Sequence, residues 1–298
     1  MSNESTSPRP STIIGRVAAL AEVVAAFGVV HVAYRTFKEF TFPGQWERAQ
    51  HLNYSPGLFM IVGALFLVLA SRRPQLEFGL ASAPRGSLAL GLTFGLLAAI
   101  GAGAIVWFGH FHIEPGKPPP DGLALLGAIG EVFLAGVLLL SVRHGLGLYK
   151  RLPAPMCLAA FTLACLVPIL LALRSDKPIG GAAALVGELL LCAGLGEELF
   201  FRGYMQSRLN MAFGRPYRVL GTQFGVGLLV TSVMFGFIHA LNTVDYFNGR
   251  YEFAWAWGLM NVGAGLLFGL MRERTGSILP GAVAHAVTDI LERAPAFL

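Results

Sequence analysis

Three apolar stretches of this chain carry side chains that could do chemistry. The first reads Gly194-Leu195-Gly196-Glu197-Glu198-Leu199-Phe200-Phe201-Arg202, two adjacent carboxylates and an arginine. The second ends Phe235-Gly236-Phe237-Ile238-His239, and the third holds His285-Ala286-Val287-Thr288-Asp289. A free carboxylate and two imidazoles brought to one point have two natural uses. Glutamate can act as general base on a water, helped by histidine. The same groups, Glu197, His239 and His285, could instead bind a divalent metal such as zinc, which lowers the pKa of its water. Both uses end in hydrolysis of a carbonyl substrate.

Spacing within each stretch divides the labour. At 100° per residue Glu197 and Glu198 cannot project the same way. Arg202 lies four residues after Glu198, in the favourable acid-before-base order. The pair Glu198–Arg202 then leaves Glu197 for water or substrate. Phe235 sits one helical turn before His239 and can wall its ring. Asp289 shares a face with His285 and can orient it by accepting its other ring proton. Each stretch alone has a plain structural alternative: a packing salt bridge, a packing histidine, or a capped interfacial helix. Three in order, 42 and 46 residues apart from Glu197 to His239 and from His239 to His285, let neighbouring helices aim at one interior point.

The elements that must position these residues are membrane helices. The chain has 298 residues, 55% hydrophobic and only 13% charged, with mean hydropathy +0.63. Soluble domains average about 25% charged, so too little charge is present to cover a surface in water. A span needs about 20 apolar residues, and the apolar runs are 17–34, 57–71, 87–109, 123–142, 154–173, 181–200, 222–242, 253–271 and 278–291. The fold expected is an all-α polytopic bundle of eight or nine transmembrane helices. Breaks fall at Ser71-Arg72-Arg73-Pro74, from Glu114 to Asp121, from Arg143 to Arg151 and from Arg174 to Pro178. The first apolar run is no cleaved signal, being long, interrupted by Glu22 and His31, and followed by more spans.

Charge supports the same class. Loops 72–86, 143–152, 201–218 and 272–277 hold twelve Lys and Arg against seven in the alternate loops, which makes the first set cytoplasmic and, with nine spans, puts the N-terminus outside. The net charge of +5 orients helices and does not imply nucleic acid, because no Lys/Arg run is interleaved with aromatics. Cys157, Cys165 and Cys192 lie in apolar runs without ligand spacing, so no disulfide framework is expected.

Taken together, the stretches resemble the three motifs of the CPBP (Abi) family, the CaaX-protease and bacteriocin-processing membrane peptidases. The family pattern EExxxR, FxxxH and HxxxN or HxxxD is similar to Glu197-Glu198-xxx-Arg202, Phe235-xxx-His239 and His285-xxx-Asp289 here. The run Arg274-Thr275-Gly276-Ser277-Ile278-Leu279-Pro280 is also typical of it. The resemblance covers about residues 179–291. It implies that Glu197 activates water with His239, that Glu198 and Arg202 hold helix geometry and local charge, and that His285 and Asp289 stabilise the oxyanion or complete a metal site. Asp289 stands where Asn is common. An ionised carboxylate only accepts hydrogen bonds, so Asp289 is expected to orient His285 rather than bind an oxyanion itself.

The organisation expected is a disordered tail (1–12), N-terminal transmembrane helices without a motif (13–178), a peptidase core (179–291) and a C-terminal tail (292–298). The protein would sit in a bacterial-type plasma membrane, in contact with lipid and with a membrane-associated protein or peptide substrate. In eukaryotic relatives that substrate is a prenylated CaaX protein, yet no prenyl pocket is legible here. Two rival readings stand beside the peptidase. A proton-coupled carrier also uses buried Glu and His, although repeated halves are missing from the sequence. A non-catalytic scaffold or immunity protein could share the fold. Glu188 falls on the face opposite Glu197; Glu22 and Glu131 look isolated in sequence and His31 has no evident partner, so pairing within the bundle is the default expected for each. One geometric difficulty remains: Glu197 and His239 both fall late in antiparallel spans, so a long, tilted or displaced helix is required to bring them together.

Overall fold

The computed structural model describes residues 12–49, 52–80, 86–111, 118–143 and 152–298. The expected tail 1–12 lies almost wholly outside the described residues, as do the first half of the Glu114 to Asp121 break and the basic joint after Arg143. Helix α1 (Ile13–Phe40) starts where Thr12 caps it, its hydroxyl accepting from the Gly15 N–H at 3.2 Å. A short α2 (Phe42–Ala49) and then α3 (Tyr54–Ala70), α4 (Ser87–Gly109), α5 (Asp121–Arg143) and α6 (Ala154–Arg174) follow. Next, α7 (Ile179–Glu188) continues through π-helical segments Leu189–Glu197 and Leu199–Gln206 into α8 (Ser207–Phe213). Helices α9 (Val226–Ala240), α10 (Trp255–Thr275) and α11 (Leu279–Arg293) complete the bundle.

The architecture is nearly all helical, with more helical pieces than the eight or nine expected. A two-stranded hairpin, β1 (Tyr217–Val219) and β2 (Thr222–Phe224), interrupts it. Its turn residues Leu220 and Gly221 have φ of 49° and 86°, the paired positive values that join strands tightly. The apolar run beginning at 222 therefore opens as a strand, and its helix begins only at Val226. Six helices among the described residues are long and apolar enough to cross a membrane, with α3 a shorter apolar one; α10 and α11 are not among the six, although both were expected as spans. At the end of the chain α11 runs to Arg293 and a 3-10 turn covers Ala294–Phe297.

Side chains on the outside match a lipid solvent. Val29, Ile100, Phe133 and Leu163 on α1, α4, α5 and α6 are each more than half exposed, which a water-facing surface of that size would not tolerate. Between helices, small residues let backbones approach. A Cβ at Gly236 of α9 would come within 2.4 Å of the Gly258 carbonyl of α10.

The 35-residue helix Ile179–Phe213 resolves the depth difficulty. It is far longer than the expected run 181–200, so Glu197 lies near its middle and not at its end. The start of α9 crosses its C-terminal part: a Cβ on Gly227 would meet the Gln206 carbonyl at 2.4 Å and Asn210 Oδ1 at 2.7 Å. Twelve residues forward from Gly227 is His239, and nine back from Gln206 is Glu197. Antiparallel helices rising ~1.5 Å per residue then bring the two to within about one helical turn of the same level.

Candidate active site

All six residues singled out from the sequence converge where α9, α10, α11 and the two π segments meet. Glu197 ends the first π segment, and Glu198 separates it from the second. Such i→i+5 turns are rare and favour functional sites. Arg202 Nη1 donates to Glu198 Oε1 at 2.7 Å, and both side chains are sealed, 1% and 0% exposed. Desolvating an arginine this completely needs more than one partner. The guanidinium also lies 4.2 Å from the Phe235 ring centroid and 5.4 Å from that of Phe268, where ring quadrupoles attract it. Gly281 on α11 makes room for this pair, since a Cβ there would stand 2.7 Å from Glu198 Oε2.

Glu197 is different. Its Oε2 is buried without a hydrogen-bond partner among the described residues and lies 4.0 Å from His239 Nε2. His239 Nδ1 sits 2.7 Å from the Phe235 carbonyl. A carbonyl only accepts, so Nδ1 carries a proton, and in the neutral ring the bare Nε2 is the nitrogen turned towards Glu197. Rings hold this orientation from two sides, Phe235 at 4.7 Å and Trp257 edge-on at 5.5 Å.

His285 lies between carboxylates, with Nδ1 3.4 Å from Glu198 Oε1 and Nε2 3.8 Å from Asp289 Oδ2. It stacks on Phe268 at 5.1 Å and meets the edge of Phe235 at 5.7 Å. The ring is thus fixed in plane by packing and in rotation by charge. The Asp289 contact is longer than a hydrogen bond, and its side chain is a quarter exposed.

The other buried ionisable groups take partners within the bundle, the default expected for them. Glu188 points away, as its helix face demands, and accepts from the Asn53 N–H. Glu22 and His31 are not isolated. Glu22 takes hydrogen bonds from Tyr204 and Arg208, and His31 lies between Tyr34 and Tyr246. Glu131 on α5 also has company, being within electrostatic reach of His285 and Asp289. Trp257, Phe268 and Gly281 were missed altogether. Their type and spacing carry no chemical signal, and only their place beside the ionisable groups gives them a part.

The metal reading requires at least three converging donors. Among the described residues no three His, Cys, Asp or Glu side chains form such a group. Both nitrogens of His285 face carboxylates, and Glu197 with His239 makes only a pair. The donor set does not fit a bound zinc.

The fold and this cluster define a class: a polytopic helical membrane protein with a Glu/His site buried among its last helices. Residues 179–291 match the model of a protein family described as type II CAAX prenyl endopeptidase, Rce1-like. The match spans all three motifs and every one of the six residues, in keeping with a CPBP-family peptidase. No curated protein and no solved structure matches the chain.

Proposed function

We propose that this protein is an intramembrane endopeptidase that hydrolyses a peptide bond of a membrane-associated, CAAX-type substrate with a glutamate-activated water. The observation that carries the reading is the 4.0 Å separation of Glu197 Oε2 and His239 Nε2. With His239 neutral and Glu197 ionised both atoms are acceptors, and a single water spans such a gap by donating one hydrogen to each. Its lone pair is then directed away from both and towards the scissile carbonyl.

The chemistry follows from that arrangement. Water oxygen attacks the carbonyl carbon while Glu197 takes its proton, and His239 holds the nucleophile in line. The resulting oxyanion is met by the Nε2–H of His285, whose Nδ1 side faces Glu198 at 3.4 Å; the Asp289 carboxylate, 3.8 Å from Nε2, is beyond hydrogen-bond distance and leaves that N–H for the oxyanion. Collapse breaks the C–N bond, and the proton held by Glu197 goes to the departing amine. Glu198 and Arg202 take no proton. They fix the π-helical backbone from which Glu197 projects.

The test uses purified protein in detergent and fluorogenic membrane peptides, prenylated and unprenylated. Glu197→Ala and His239→Ala should each reduce cleavage by roughly 10²–10⁴-fold, the range of general acid–base catalysis. A chelator should leave wild-type cleavage unchanged. Cleavage that survives both substitutions would overturn the reading, and loss with the chelator would replace shared water by a metal.

A further inference from the structure

The mechanism above uses nothing from α1, yet α1 presents three polar side chains to the segment that follows His239. His31, Tyr34 and Arg35 occupy positions i, i+3 and i+4, one face of the helix. Arg35 Nη2 donates to the Leu241 carbonyl at 2.5 Å and to the Val244 carbonyl at 3.0 Å. The guanidinium also lies 5.9 and 5.6 Å from the ring centroids of Tyr34 and Tyr246. His31 joins these two rings, its Nδ1 3.1 Å from the Tyr34 hydroxyl and its Nε2 3.1 Å from that of Tyr246.

The place of these contacts gives them leverage. Helix α9 ends at Ala240, one residue after His239, and a 3-10 turn Leu241–Thr243 follows. The last carbonyls of a helix have no partner within it, and the last turn opens most readily. The Leu241 carbonyl, two residues past His239, accepts the Val244 N–H, and Arg35 adds a side-chain donor from α1 both to it and to the Val244 carbonyl. One turn earlier, Phe27 of α1 stacks on Phe237 at 6.3 Å. Beyond the clamp the chain is closed by a tight turn. Asp245 and Arg250 pair backbone to backbone, and the Arg250 guanidinium, followed by Asn248, holds the Asp245 carboxyl down at about 2. A folded pKa this low keeps that contact in place above the usual carboxylate range and loses it only in strong acid.

We propose that Arg35, backed by His31 and Tyr34, is a positioning residue of the peptidase: it clamps the end of α9 and thereby sets His239 Nε2 against Glu197. The proposal rests on the role of His239 argued above. It makes α1, outside the matched segment 179–291, a working part of the site.

Arg35→Ala is expected to reduce kcat by about 10²-fold, as small misplacements of catalytic groups do, with KM nearly unchanged. Arg35→Lys, which keeps a donor but not the stacked plane, should recover part of it, and added ethylguanidinium should partly rescue Arg35→Ala. In ¹⁵N-histidine spectra of detergent-solubilised protein, the His239 signals should move in Arg35→Ala and return towards wild type in Arg35→Lys, while those of His285 stay. Wild-type kcat in Arg35→Ala overturns the proposal. So does a loss that follows melting temperature without recovery by lysine or guanidinium, and so do unmoved His239 signals. If the wild-type protein cleaves no peptide, the peptidase reading fails, and the His239 signals alone decide whether the clamp exists.

Discussion

Glu197 and Glu198 are neighbours in sequence with different surroundings, and substitution should separate them. Glu198 is sealed against Arg202 at 2.7 Å. Removing one member of a buried ion pair leaves the other uncompensated, at about 3–5 kcal/mol. Glu198→Ala is therefore expected to melt far below wild type in detergent. Glu197 Oε2 has no partner among the described residues, so Glu197→Gln should keep the melting temperature and abolish cleavage. Equal destabilisation by both would contradict this division. The split was legible in the sequence, because the four-residue step to Arg202 selects Glu198. The cage of Phe235 and Phe268 around Arg202 was only half legible: Phe235 belongs to a motif, whereas Phe268 is one apolar residue among many.

At the scale of elements, the site depends on how closely α3 lies against the first π segment. A Cβ on Gly57 would stand 2.2 Å from Cys192 Cβ and 2.3 Å from Cys192 Cα. Backbone cannot yield as a side-chain tip can, so Gly57→Ala must push the two helices apart at about 1–3 kcal/mol or more. Five residues after Cys192 comes Glu197, and cleavage should fall along with the melting temperature. Gly101→Ala on α4 is the matched control. Nothing lies within 4 Å of its added Cβ, and a mid-helix glycine replaced by alanine should gain roughly 0.5–1 kcal/mol. A Gly57→Ala protein as stable as wild type would show that this contact is slack. The helices themselves were legible from apolar runs. The π-helical stretch and the 35-residue length of Ile179–Phe213 were not, because hydropathy falls where the helix leaves lipid while its hydrogen bonds continue.

At the scale of the molecule, the matched segment does not stand alone. Glu22 of α1 accepts from Tyr204 and Arg208, and Arg35 holds Leu241 and Val244. Between α3 and α4, Glu77 and Gly79 receive Arg272 and the Ile278 N–H. Residues 179–298 expressed alone are therefore expected to be degraded or to lack a cooperative melt. Co-expression with residues 1–178 should restore a protease-resistant core. A stably folded, active fragment would assign the N-terminal helices a separate task.

The membrane class of this protein and the ionisable residues that meet in its last helices could be read from the sequence alone. Low charge, long apolar runs and ionisable residues placed against the cost of burial are local properties, and local periodicity pairs Glu198 with Arg202 and His285 with Asp289. Only the tertiary structure decided which groups meet across the bundle. It sets Glu197 4.0 Å from His239, turns His285 towards Glu198, gives His31 its two tyrosines and brings Arg35 to the end of α9. These contacts join residues tens to hundreds of positions apart. They are fixed by helix length, crossing level and the small residues that permit close approach, and no spacing along the chain encodes that combination.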